Sequence, residues 1–188
     1  MKLNFHNAKY VLSAPSLREA PKDGLSHILF VGRSNVGKSS LINSLCSSKL
    51  AFSSKKAGKT KLLNYFLIDN AFYLVDSPGY GKTSYANLST IQFSKMMEDY
   101  VKDPKLKAIF LLADMRREPG EEDKAFLSYL LLTGIPVVGV LTKMDKMNQK
   151  ERHEAMLRAG RLGLLNPLPS DLSSSSLDAI RKRIHDSL

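Results

Sequence analysis

The residues with the clearest chemistry are Gly32-Arg33-Ser34-Asn35-Val36-Gly37-Lys38-Ser39, a G-x-x-x-x-G-K-S run with Ser40 directly after it. Gly32 and Gly37 permit backbone angles and close approaches that a Cβ would forbid, so successive N–H groups can converge on phosphate oxygens. Lys38 can reach the outer phosphates, and the Ser39 hydroxyl can ligate a magnesium ion held with them. A glycine-rich turn with a surface lysine would read the same in isolation. Here a strand-like run over 27–32 precedes the motif, and a helical pattern carrying Leu41, Ile42 and Leu45 follows it. The start of that helix adds its positive end to the loop. The expected ligand is a nucleoside triphosphate.

A second group selects the base. Thr142-Lys143-Met144-Asp145 closes a hydrophobic run over 135–141, roughly a hundred residues beyond the loop. At the carboxyl end of a strand it falls on the ligand side of an open α/β sheet. The Asp145 carboxylate can accept from the N1–H and exocyclic amine of guanine, whereas adenine offers an acceptor at N1 and no such amine. The Lys143 stem can lie flat over the base. Alone, T-K-x-D reads equally well as an exposed helix start; after a phosphate loop it points to GTP over ATP. Asp76-Ser77-Pro78-Gly79 follows another strand-like run, where an aspartate can hold magnesium through water and the Gly79 N–H can sense a γ-phosphate. An Asx-Pro-Gly turn is the competing local reading. Thr60, in Ala57-Gly58-Lys59-Thr60, is the candidate second magnesium hydroxyl, against the plainer reading of a basic loop.

The elements that must position these groups alternate between apolar runs and helical patterns, the signature of an α/β domain with a mostly parallel sheet. Strands are expected over 27–32, 62–69, 71–76, 106–114, 135–141 and 164–168. The reversal at Asp69-Asn70 makes one of them antiparallel. Helices are expected from Lys38 and over 84–101, 119–132, 148–162 and 176–185, on both faces of a six-stranded sheet. Residues 1–25 read as an extension packed on the domain at 26–188. They hold a candidate edge strand over 9–12, before Pro15 and Pro21 break regular structure.

Together these parts imply a Ras-like P-loop GTPase domain, and longer stretches carry a closer resemblance. Gly32 through Asn43, Gly58-Lys59-Thr60-Lys61-Leu62-Leu63-Asn64, Asp76-Ser77-Pro78-Gly79-Tyr80-Gly81, Asp114-Met115-Arg116 and Thr142 through Lys146 resemble the EngB-type (YsxC/YihA-like) ribosome-biogenesis GTPases of bacteria, within the TrmE-Era-EngA-EngB-Septin-like group. The resemblance runs from about Phe5 to the C-terminus. It implies hydrolysis of GTP with Mg²⁺ held by Ser39, Thr60 and Asp76, and a switch role in assembly of the large ribosomal subunit with a link to cell division. Its implied partners are GTP or GDP, a large-subunit precursor and rRNA, with the protein a cytoplasmic monomer.

The sequence departs from that pattern in places. Ser77 stands where leucine is usual, Ala57 replaces a frequent proline, and Lys82-Thr83 follow where an aromatic is common. The fifth motif falls at Ser170-Asp171-Leu172 in a gap-free register, with Ser176 in place of a glycine; a second register uses Ser173-Ser174. Ras-like enzymes orient the attacking water with a glutamine at the position filled here by Tyr80, so weak intrinsic hydrolysis is expected. Asn35 resembles an asparagine that helps place K⁺ against the phosphates in related GTPases; a loop-capping asparagine explains it equally well.

Composition agrees with a single domain of 188 residues, 43% hydrophobic and 24% charged. One cysteine, Cys46, cannot form an internal bridge, which fits a reducing compartment. No apolar run is long enough to span a membrane, and the first residues lack the apolar core of a signal peptide. Twenty-eight basic against 18 acidic residues give a net charge of +10, which suits a polyanionic partner. Lys49, Lys55, Lys56, Lys59 and Lys61 crowd one window without an acid, beside the segment expected to respond to nucleotide. Arg152, Arg158, Arg161 and Arg181-Lys182-Arg183 add basic helix surface. Backbone and shape recognition of RNA is expected over sequence reading. A nucleotide-gated signalling or division adaptor binding protein partners is the alternative.

Overall fold

The computed structural model describes residues 3–51, 62–81 and 90–188. Strands β1 (Ala8–Ala14), β2 (Ser26–Gly32), β3 (Leu63–Ile68), β4 (Phe72–Asp76), β5 (Leu106–Ala113), β6 (Val137–Leu141) and β7 (Leu168–Pro169) alternate with helices α1 (Lys38–Cys46), α2 (Thr90–Tyr100), α3 (Glu121–Leu132), α4 (Gln149–Arg161) and α5 (Ser174–Ser187). The sheet order is β1-β3-β4-β2-β5-β6-β7. β2 pairs in parallel with β4 and β5, and β6 in parallel with β5 and β7, while β3 is antiparallel to both β4 and β1. Of these strands, β3 alone runs against the rest.

Beyond the six strands expected, the candidate edge strand over 9–12 is present and longer, as β1, and makes a seventh along the free side of β3. The pairing runs from Ala8 opposite Ile68 to Ala14 opposite Leu63, with a bulge between Tyr10 and Leu12. At the other edge, the strand expected over 164–168 shortens to two residues. Asn166 takes a left-handed backbone (φ 49°), and Pro167 has no N–H to donate, so pairing with β6 begins only at Leu168. Asp69 and Asn70, both at positive φ, make the expected reversal between β3 and β4.

Alternation along β2 builds two cores. Leu29 and Val31 face one side with Met97 and Tyr100 of α2, Leu127 and Leu130 of α3, and Ala155 and Ala159 of α4. Ile28 and Phe30 face the other with Leu41, Ile42 and Leu45 of α1 and Leu177, Ile180 and Ile184 of α5. A strand buried on both faces reads as a continuous apolar run, and 28–31 is one. α1 and α5 are also joined by a polar contact: the Arg181 guanidinium donates to the carbonyls of Leu45 (2.8 and 3.1 Å) and Ser44 (3.3 Å) at the end of α1. The Ser44 carbonyl also accepts from the Ser47 N–H (3.3 Å), and Arg181 adds a side-chain donor to these end-of-helix carbonyls.

At the sheet edge where β2 begins, His27 is fully buried against Tyr65, Tyr73 and Tyr100, with the Tyr100 hydroxyl 2.8 Å from its Nδ1. Burial first, and then the nearby Lys105, push the imidazole down to about 4. Its 3.9 Å approach to Asp103 is thus a contact of a neutral ring. Among the described residues no helix is long and apolar enough to cross a membrane.

Candidate functional site

The carboxyl ends of β2, β4, β5, β6 and β7 bring the expected groups to one edge of the sheet. β2 delivers Gly32, the chain turns through Arg33 to Gly37, and α1 opens at Lys38. Gly37 lies at φ 106° and Asn35 at φ 63°. Asparagine is one of the few side chains that takes this backbone readily, so Asn35 has a conformational reason to be here. Gly32 is required by space: a Cβ would fall 2.8 Å from Val36 Cγ1 and 3.0 Å from the Leu112 carbonyl oxygen. No side chain caps α1 and its first turn carries no acid, whereas α3 begins Glu121-Glu122-Asp123 and the Asn148 side chain caps α4. The start of α1 thus offers N–H groups and a positive dipole end with no competing acid, which suits a phosphate.

Lys38 Nζ is held between the Asp76 carboxylate and the Ser77 carbonyl, the latter at 2.6 Å. Both partners of the ion pair are largely desolvated, with side chains 10% and 7% exposed. The loop and the Asp76-Ser77-Pro78-Gly79 segment are joined further by backbone bonds. Ser34 N–H donates to the Tyr80 carbonyl (3.0 Å) and Tyr80 N–H to the Gly32 carbonyl (3.2 Å). Gly79 lies so close that a Cβ would fall 2.9 Å from Ser34 N and Cα.

The motif after β6 is fastened to the phosphate loop. The buried Thr142 hydroxyl donates to the Val36 carbonyl at 2.7 Å, so it braces the loop rather than facing a ligand. Lys143, at φ 60°, donates to the Asn35 carbonyl (3.0 Å) and lies 3.2 Å from Asp114. Asp114 also takes a two-pronged contact from Arg116 (2.9 and 2.7 Å). Partial burial alone would raise the Asp114 carboxyl, but the bonds from Arg116 and Lys143 outweigh it and pull it down to about 2. Asp145 sits in a short turn, 44% exposed, with Lys146 at 3.2 Å. Its carboxylate is therefore open to solvent in the turn that follows Lys143.

Ser170 is buried and stitched to the same loop. Its N–H donates to the Leu141 carbonyl (2.8 Å) and its carbonyl accepts from Met144 (3.1 Å). Asp171 turns the other way, accepting from the Ser173 hydroxyl and N–H, and those bonds hold its carboxyl down to about 2. Leu172 takes φ 63°, and Ser173 caps α5. The gap-free register therefore lies beside the base motif, while Ser173-Ser174 starts a helix. Gly58 and Thr60 fall outside the described residues, as do Lys55, Lys56, Lys59, Lys61, Lys82 and Thr83.

Arg33 was expected in the nucleotide-binding loop, where backbone N–H groups act; its side chain points to Asp123 (3.0 and 3.1 Å). Asp123 and the bracing role of Asp114 were missed. Asp123 had no motif to announce it, and Asp114 stood only as one stretch of a family resemblance. For magnesium, Asp76 and the Ser39 hydroxyl, one residue along from Lys38, are oxygen donors of the right kind. No cluster of three or more His, Cys, Asp or Glu among the described residues could hold a metal alone, so phosphate oxygens would complete the shell.

Comparison with known proteins agrees with this site. Residues 27–143 match the family described as 50S ribosome-binding GTPase. A probable GTP-binding protein EngB of Lactobacillus acidophilus is 41% identical over 152 residues, covering 80% of this chain and 78% of that protein. Its counterpart in Streptococcus uberis is 42% identical over 160 residues, covering 83% and 80%. A crystal structure of a probable GTP-binding protein engB superposes with a TM-score of 0.65 at 21% identity, over 86% of this chain and 98% of that one. A crystal structure of an Aquifex aeolicus Era variant bound to GDP and AlF4⁻ gives 0.66 at 25% identity, over 87% and 57%. The family match spans well over half of the sequence and the bacterial relatives about four-fifths of it, so the chain belongs to the EngB GTP-binding proteins of the 50S ribosome-binding GTPase family and is a GTPase.

Proposed function

We propose that the protein hydrolyses GTP and water to GDP and phosphate as a switch in assembly of the large ribosomal subunit, with a link to cell division. The observation that carries this reading is the fastening of the guanine-type motif to the phosphate loop, Thr142 to Val36 and Lys143 to Asn35. Base recognition and phosphate binding are then one rigid unit. On binding, Lys38 exchanges the Asp76 carboxylate for the outer phosphate oxygens, which frees Asp76 to face the metal side of the site. Ser39 and Asp76, with Thr60 from the basic segment, would hold Mg²⁺; when bound, it neutralises charge on the transferring phosphate. Asp145 accepts from guanine, and the Ser170 to Leu172 loop offers its backbone to the base.

Tyr80 in place of a water-orienting glutamine supports slow intrinsic hydrolysis that a ribosomal partner completes. A K⁺ ion beside Asn35 is a further component of this reading; equal rates in KCl and NaCl would remove it. The net charge of +10 supports rRNA as the surface bound. The deciding experiment is co-sedimentation with large-subunit precursors. Binding should rise with a GTP analogue over GDP and fall with salt, and binding indifferent to nucleotide would end the switch reading.

A further inference from the structure

The side chains of Arg33 and Tyr80, which no base- or phosphate-binding role absorbs, meet on the Asp123 carboxylate. Asp123, in the first turn of α3, accepts from Arg33 Nη1 at both oxygens (3.1 and 3.0 Å), from the Tyr80 hydroxyl (3.0 Å) and from the Gly120 N–H (3.0 Å). It stands at the positive end of the α3 dipole. The Tyr80 ring lies against Phe126 of α3 and Phe93 of α2, at 4.7 and 5.9 Å between centroids. Burial, and then the Asp123 charge, push the phenol well above its ordinary value, so it stays a donor. Arg33 covers the ring at 5.9 Å and packs on Gly81, where a Cβ would fall 2.9 Å from Nη2.

We propose that Asp123 is a positioning residue for the GTPase reaction. By gathering Arg33 and Tyr80, it latches the segment after Gly79 to α3 and restrains the rearrangement that hydrolysis requires. The inference rests on the GTP reading above. The contacts themselves point to that rearrangement. Lys38 is engaged with Asp76 and Ser77, and the Ser34 N–H with the Tyr80 carbonyl. A triphosphate competes for these donors, first at Lys38 on binding and then along the segment from Asp76 up to Tyr80 as the reacting geometry forms. Those five residues are consecutive, and whatever fixes Tyr80 to α3 opposes the rearrangement. An exposed Arg–carboxylate pair alone contributes little to stability. Its significance here is that the same carboxylate also holds a residue of the moving segment.

The test is steady-state GTP hydrolysis by the full chain, with kcat and KM measured separately for Asp123→Ala, Tyr80→Phe, the double variant and Asp123→Asn. Each of the first two should raise kcat by about three- to tenfold, the scale of one released hydrogen bond, with KM held within about twofold. The double variant should be no faster than the faster single one, because both open the same latch. Asp123→Asn still accepts from Tyr80 and should give a smaller rise. Unchanged or lowered kcat with a lower melting temperature would reduce the contact to a structural pair and overturn the proposal, as would additive effects. Should Asp123→Ala fail to fold, Tyr80→Phe, which removes one oxygen, decides alone. A wild-type protein that neither binds nor hydrolyses GTP would defeat the GTP reading itself, an outcome distinct from variants that match an active wild type.

Discussion

A methyl group added at Gly79 would meet Ser34 at three atoms, 2.7 Å from Oγ and 2.9 Å from both Cα and N. The hydroxyl can rotate aside, but the other two atoms are phosphate-loop backbone. Overpacking of this kind costs about 1–3 kcal/mol where nothing can yield. Here the segment can yield by undocking, which sacrifices the two backbone bonds that join Tyr80 to Ser34 and Gly32, each contributing about 1 kcal/mol. The global penalty of Gly79→Ala is therefore capped near ~2 kcal/mol, a fall in Tm of about 4–8 °C for a chain of this size. The local effect falls where Gly79 must approach a γ-phosphate. Affinity for a non-hydrolysable GTP analogue should drop by about tenfold, equivalent to ~1.4 kcal/mol, while GDP affinity changes by less than about twofold. Calorimetric titration with both nucleotides, beside thermal melts, reads the two parts separately. A variant that melts as wild type and binds both nucleotides unchanged would show that the close approach is not a property of the folded protein.

Asp145→Asn should exchange guanine preference for xanthine, since an amide can donate where the carboxylate could only accept; competition binding with GDP and XDP reads this directly. Asp114→Asn removes the charge that steadies Lys143 and Arg116, so GDP affinity should weaken by about three- to tenfold with the fold intact by circular dichroism; an unchanged affinity would deny Asp114 its bracing role. Stability should fall with acid through His27. The unfolded imidazole takes its proton near 6.5, but the folded one only near 4, so the unfolded state is favoured progressively as pH drops through that window, by up to about 3 kcal/mol below it. Urea melts of wild type and His27→Gln at intervals from pH 7 to 4 should show a shallower slope for the variant, and parallel slopes would contradict the assignment.

The phosphate loop was legible because its information is local: eight consecutive residues, a strand before and a helix after. The same holds for Thr142 to Asp145 and for the Asp69-Asn70 reversal. What escaped depends on residues distant in the chain. Arg33 and Asp123 stand 90 positions apart, and nothing in Glu121-Glu122-Asp123 distinguishes an ordinary acidic helix start from a carboxylate that receives Tyr80. Thr142 was legible as a motif letter but not as a brace, because its partner is the Val36 main chain, which every residue possesses. The edge strand was legible over 9–12 but not at its full length of Ala8–Ala14, since Tyr10 and Val11 are exposed. It is drawn into the sheet by the open side of β3. The register of the fifth motif could not be chosen from a serine-rich stretch, since the turn made by Asp171 and the cap made by Ser173 look alike on paper.

The contact between Arg181 and the end of α1 has a consequence for how the protein is born. Synthesis runs from the N-terminus, so the phosphate-loop helix emerges early, yet the side chain that closes its last turn lies in the final helix. The core beneath α1 is likewise incomplete until Leu177, Ile180 and Ile184 arrive. A nascent chain carrying every GTP-binding motif would still lack that support while α5 remained in the exit tunnel. Chains ending at 172 and at 188, each followed by the same tunnel-length linker, separate the chain without α5 from the chain with it, and the shorter should bind labelled GDP far more weakly. Nucleotide binding would then begin only once α5 has emerged and docked on α1.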